Sequence, residues 1–184
     1  FVGIIAEQQQ LALSFEAIFG SAERAAQEME FVRGTANRLG VESQVLARSY
    51  QSLAAATRGT ALEGEQTRAV FEATARAMAV LGKSSAQTDQ ALTAIAQMAS
   101  KGTVSMEELR GQLGEALPGA LQATAKGAGI TTEQLIGMVE SGQVLAKDLL
   151  PALTQGLNDL YGKATPPETI ISEWARLKNV ITDT

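Results

Sequence analysis

The chain has 184 residues and 19.3 kDa, with 45% hydrophobic and 19% charged residues, the balance of one globular domain rather than a disordered segment. Its net charge of −5 and pI near 4.9 lack the Lys and Arg excess that a nucleic-acid partner requires. With no Cys and no His it has no structural zinc, iron–sulfur, disulfide or His-dependent triad chemistry.

The chain opens at Phe1 with neither an initiator Met nor a basic n-region, and so reads as a fragment of something longer. From Ile4 a 3-4 apolar stripe runs through Gln8, Leu11, Phe15, Ile18, Ala22, Ala25, Met29, Val32, Ala36 and Leu39. It crosses Gly20-Ser21, which allows either one long arm or two helices meeting there with Ser21 as N-cap. The cost of Gly in a helix interior, about 1 kcal/mol against Ala, favours two. Val45 or Leu46 with Tyr50, Leu53 and Thr57 then mark the face of a helix ending before Gly59. Val70, Phe71, Thr74, Met78 and Leu81 mark the next, ending at Gly82. Ser84 or Ser85 caps a third, with Leu92, Ile95 and Met98 or Ala99 inward and Gly102 at its end. Gly40, Gly59, Gly82 and Gly102 each fall where a left-handed residue closes a helix. Their spacing of about 20 residues has no matching side-chain pattern, so it does not make a repeat array.

Ser105-Met106-Glu107-Glu108 has the form of a capping box, starting a short helix through Leu109 and Leu113. Leu117-Pro118-Gly119 predicts a tight helix-to-helix corner, with Pro118 at the first position of a helix carrying Ala120, Leu121 and Ala125, and Gly119 against a neighbouring backbone. Gly127 and Gly129 close that helix. Thr131-Thr132-Glu133-Gln134 is a second capping box, opening a helix through Leu135, Met138 and Val139 that stops at Gly142. Leu145, Leu149, Leu153, Leu157 and Leu160 stripe a longer helix, in which Pro151 fits only the first turn. Thr165-Pro166-Pro167 is a stiff linker. The final helix places Ile170 or Ile171, Trp174, Leu177 and Ile181 on one side, and that spacing favours Trp174 as a core anchor over an interface anchor. The expected fold is all-α: a compact set of short and medium helices. It divides into a 1–40 arm or helix pair, a 41–162 core, and a 163–184 linker with an amphipathic helix. No apolar run approaches a membrane span, and the lack of Cys fits a reducing cytoplasm.

Motifs that could carry chemistry fail one by one. Gly82-Lys83-Ser84 has the tail of a P-loop, but Ala77 stands where its first glycine belongs. Gly127-Ala128-Gly129 reaches Thr132 in place of the third glycine of a dinucleotide fingerprint, and no strand precedes it. Glu107, Glu108 and Glu115 are the carboxylates closest to a catalytic grouping. Acids in a first helical turn and a Glu107–Arg110 pair account for them as well. Arg24, Arg33, Arg38, Arg48, Arg58, Arg68 and Arg76 are dispersed on polar faces and read as solvated surface. The sequence therefore predicts no catalytic residue, no cofactor site and no metal site.

One stretch is specific. The 21 residues Ser100–Ala120, SKGTVSMEELRGQLGEALPGA, resemble the signature of the tape measure domain found in tail length tape measure proteins of long-tailed bacteriophages and prophages. The similarity extends to Ala36–Gly40, the Tyr50 helix, Ala94–Met98, Gly129–Leu135 and Val144–Leu153, about residues 30 to 162. The resemblance implies a non-catalytic structural role. Such proteins lie inside the tail tube, set tail length, are held by tail-assembly chaperones, and nucleate tube growth from the tail tip or baseplate. Self-association is compatible with it, and no nucleic-acid partner is expected of this stretch. The chain lacks the hydrophobic spans, the sustained coiled coil past Leu39 and the peptidoglycan-hydrolase motifs that some members carry. Two rival readings are a helical interaction domain of a host-cell protein and a helical enzyme with Glu107, Glu108 or Glu115 converging in a cleft. Even fully helical, 184 residues would extend only about 280 Å, and the Gly and Pro breaks shorten that greatly, so this stretch is a poor ruler.

Overall fold

A computed structural model describes residues 2–182, the side chains of residues 2, 4 and 5 excepted; Phe1 and the Ile4 side chain of the expected stripe lie outside it. Helix follows helix along the chain: α1 (Val2–Phe19), α2 (Ala22–Leu39), α3 (Ser43–Thr57), α4 (Glu65–Val80) and α5 (Ser85–Lys101). A π-helix (Glu107–Leu113) runs into the single turn α6 (Gly114–Ala116), followed by α7 (Ala120–Gly127), α8 (Thr132–Glu140), α9 (Ala146–Tyr161) and α10 (Ile170–Thr182). The only extended pairing among the described residues is a single bridge between Thr103 and Leu145. The fold is all-α, as its periodicity predicts.

Glycine and serine chemistry sets the breaks. Gly20 takes φ +80° and Ser21 accepts the Arg24 amide, so the N-terminal stripe is two helices. Gly40, Gly59, Gly82 and Gly102 all adopt positive φ just past a helix. Ser84 with Gln87, and Thr131 with Gln134, form complete capping boxes.

The helices fold back on one another around an Ala- and Leu-rich core. α3 lies along α5, α4 packs on α5 and α9, and α7 packs on α9. Five of the eight aromatic residues, Phe15, Phe19, Phe31, Tyr50 and Phe71, gather where α1 to α4 meet, with ring centroids 4.8–6.4 Å apart. Leu46 rather than Val45 faces inward beside Tyr50, Leu53 and Thr57, and both Met98 and Ala99 are buried. α7 and α9 approach backbone to backbone: a Cβ on Gly156 would lie 1.8 Å from the Ala123 carbonyl oxygen, and one on Gly127 1.9 Å from that of Ala152.

Several local expectations are corrected. Leu81, Leu145 and Leu160 lie at helix ends and are exposed, because their stripes outrun the buried surface. Pro151 is the sixth residue of α9 rather than a first-turn residue, and the helix continues through it. Pro118 lies in the turn before α7, whose N-cap is Gly119. Gly119 has open space around its Cβ direction, so its φ of +88°, not a neighbouring backbone, requires glycine. The helix after Ser105 is π rather than α. Glu108 and Leu109 are both buried in its first turn, and the partners that hold Glu108 there come from outside the helix.

Candidate functional site

The signature segment ties three elements together. After Gly102 ends α5 in the left-handed region, the chain pairs with the strand-like entry to α9: the Val104 amide donates to the Val144 carbonyl and the Ala146 amide to that of Gly102. The chain then turns into the π-helix, where Glu108 is 1% exposed. The backbone N–H and the hydroxyl of Ser105 both donate to one Glu108 oxygen at 3.1 Å. The Lys101 ammonium, at the end of α5, pairs with the other. Only the reciprocal half of the expected capping box forms, because the Ser105 hydroxyl donates to Glu108 instead of accepting an orphan amide. Burial pushes the Glu108 carboxyl up, but Lys101 and Ser105 outweigh it and hold the group below the ordinary range. Lys101 is correspondingly raised by its bond to Glu108. This constellation joins α5, the π-helix and, through the backbone bridge, α9; its chemistry is that of a structural clamp.

The other candidate residues separate. Glu107 and Glu115 are exposed, and Arg110 makes no ion pair among the described residues. Glu115 lines an open polar groove of about 620 Å³ with Asp89, Gln90, Thr93, Gln97 and Gln112, while Glu108 points into the clamp. The three carboxylates thus share no cleft. Ser84 serves as the N-cap of α5, and no cluster of three or more acidic ligands that could hold a metal occurs among the described residues.

Two polar networks were not visible in the sequence. Glu28 on α2 accepts from the Tyr50 hydroxyl at 2.6 Å and from Arg68 Nε and Nη2 at 3.0 and 2.8 Å. The Arg68 guanidinium also lies 4.8 Å over the Phe31 ring. Burial first, and then Glu28, raises the Tyr50 phenol well above its ordinary value, so it stays protonated as a donor. Arg68 is therefore a staple between α2 and α4 rather than solvated surface, and Arg38, together with Arg76, shares Glu72 in a similar way. The second network centres on Asn179 of α10. Its carbonyl oxygen accepts the Ser43 amide at 2.8 Å, and its amide donates to the Val41 carbonyl at 2.9 Å and to Asn37 at 3.1 Å. Glu42, the N-cap of α3, provides no side-chain cap, so Asn179 caps that helix from 136 residues away. These partners are 22 to 142 residues apart, and no local spacing signals them.

α10 overturns an expectation. Trp174 is 64% exposed, and Ile170, Ile171, Leu177 and Ile181 are exposed with it. The face turned to the body carries Ser172, Ala175, Asn179 and Thr182. Gly40 permits the close approach, since a Cβ there would lie 2.7 Å from that of Ser172. The hydrogen bonds of Asn179, the small side chains and Gly40 decide which face docks, so Trp174 is not a core anchor.

Fold and site together define an all-helical structural module whose buried charges and amides join helices to one another. No helix among the described residues is long and apolar enough to cross a membrane. The chain belongs to the tape measure protein family, structural proteins of phage tails, whose family model matches residues 1–184. It is similar to a probable tape measure protein of Salmonella phage Felix O1 (isolate Felix O1-VT1), 31% identical over 158 residues. That alignment covers 86% of this chain and 21% of the relative, so the chain spans about a fifth of the relative's length. No solved structure matches.

Proposed function

We propose that this chain is a folded, non-catalytic module of a tape measure protein, acting in tail assembly through its shape and surfaces while extended helical segments elsewhere in the parent set the length. The observation that carries this reading is the family match across the whole chain, joined to helices that, among the described residues, never exceed 18 residues and fold back on one another. Eighteen residues rise only about 27 Å, and a folded bundle adds little span per residue. In this reading residues 41–162 are the core of the tape measure domain, 1–40 a helix pair laid against it, and 163–184 a linker and docking helix. Its partners are tail proteins: the tube, the tip or baseplate, and tail-assembly chaperones. They are met in the host cytoplasm during assembly, before the protein comes to rest in the tail lumen.

A deletion separates module from ruler. Removing residues 105–142 takes away the π-helix, α6, α7 and α8, and with them the α7 side of the packing around α9. The expected outcome in phage carrying this deletion is failed or unregulated tail assembly. Electron microscopy of a narrow length distribution, shortened in proportion to the residues lost, would place this region in the ruler and defeat the proposal.

A further inference from the structure

Helix α10 is amphipathic with its apolar side turned outward. At 100° per residue, Ile170, Trp174, Leu177 and Ile181 centre on one direction, and the body-facing Ser172, Ala175, Asn179 and Thr182 on another about 150° away. The outward four are 89%, 64%, 50% and 64% exposed. Rotation cannot hide them, because the inward face is fixed by the three bonds of Asn179 and the contact of Ser172 with Gly40. Their 4-3-4 spacing is the d-a-d-a seam of a coiled coil, which fits another helix rather than a flat surface.

The charges beside the seam identify which helix and in which direction. In this register Glu173 is a g position and Lys178 the e position five residues on, one on each side of the stripe. Two copies of α10 side by side, parallel and in register, bring Glu173 of each against Lys178 of the other, giving two complementary pairs. An antiparallel pair instead sets Glu173 beside Val180 and Lys178 beside Ile171, leaving both charges against apolar neighbours. Within one chain Glu173 pairs with Arg176 and Lys178 with Glu42, both at the surface, where exchanging such partners costs little. The flanks carry no excess of Lys or Arg, as an anionic membrane surface would require. We propose that α10 is a parallel, in-register pairing face for a second copy of this chain. A 13-residue helix is marginal in isolation, so the pairing depends on the body that holds α10. Its small seam places it among weak, concentration-dependent contacts.

The test uses the 184-residue chain. Sedimentation from micromolar to several hundred micromolar is expected to show monomer passing to dimer, with the fluorescence of Trp174, the only tryptophan, shifting to the blue in step. Trp174→Ser with Leu177→Ser should weaken association more than tenfold while leaving the melting temperature of dilute protein unchanged, since both side chains are exposed. Glu173→Lys and Lys178→Glu should each weaken it severalfold, and an equal mixture of the two variants should recover it as a heterodimer. The chain has no Cys, so Ile181→Cys reports orientation: it should link to itself on oxidation in a parallel pair. In an antiparallel pair the two residues 181 lie about 16 Å apart along the axis, and Ile181→Cys would link to Ile170→Cys instead. A monomer at every concentration, association that survives the double serine variant, a 181-to-170 link alone, or binding to anionic vesicles without self-association would each overturn the proposal.

Discussion

At the scale of single residues, glycines divide by what surrounds them. Gly156 faces a carbonyl oxygen that an added methyl would overlap at 1.8 Å, in a helix whose backbone cannot move without displacing α7. Gly156→Ala should destabilise the protein by about 3 kcal/mol. For a domain of this size that lowers the melting temperature by roughly 6–12 °C, readable by calorimetry. Gly119→Val meets no neighbour, and its cost, about 1–2 kcal/mol, comes from forcing a β-branched residue to φ +88°. Glu108 gives a pH signature. Its carboxyl is held below the ordinary 4.5, so the unfolded chain takes up that proton first as pH falls. Its stabilising contribution is therefore complete above about pH 4.5 and is lost as pH drops through the folded value. Glu108→Gln should cost about 2 kcal/mol at neutral pH and flatten the loss of stability below pH 4.5. Denaturant melts of both proteins from pH 7 to pH 3 check this, and parallel curves would remove Glu108 as the acid-sensitive group.

At the scale of elements, α10 is the outlier because hydrogen bonds rather than apolar burial attach it. Asn179→Ala leaves the buried Ser43 amide and Val41 carbonyl without their partner, worth about 1–3 kcal/mol. The loss should be local, with amide exchange in α10 accelerating while α3, α4 and α5 keep their protection. Exchange mass spectrometry showing uniform loss across all helices would mean that α10 is integral to the core. The same helix marks the limit of what the sequence reveals. Helix ends were legible because Gly20, Gly40, Gly82 and Gly102 and the caps at Ser21, Ser84 and Thr131 act within a few residues of the chain they punctuate. The rule that an apolar stripe faces inward served for α3, α4 and α5. It failed at α10, where a single Asn satisfied three times outweighs Trp174. The π-turn after Ser105 and the passage of α9 through Pro151 were hidden for a related reason: both depend on neighbours that only the folded chain supplies. The clamp was half visible. Glu108 stood at the third helical position after Ser105, but nothing local told that Lys101 would reach it or that the carboxylate would be buried.

At the scale of the whole molecule, the first and last helices meet. α1 lies on α2 and α3, α10 docks on the same two helices, and the Gln8 side chain donates to the Thr182 carbonyl. In a longer chain, tension carried along the polypeptide would enter and leave this module at neighbouring points. The load would fall on the contacts of α10 with α2 and α3, the bonds of Asn179 chief among them. Under such a load α10 and its linker would peel away first while the remaining bundle held. Pulling a single molecule by its two ends should give an early, low-force step of about 60–70 Å, the extended reach of residues 163–182, ahead of the main unfolding event. A single high-force rupture with no early step would show that the ends are locked into the core.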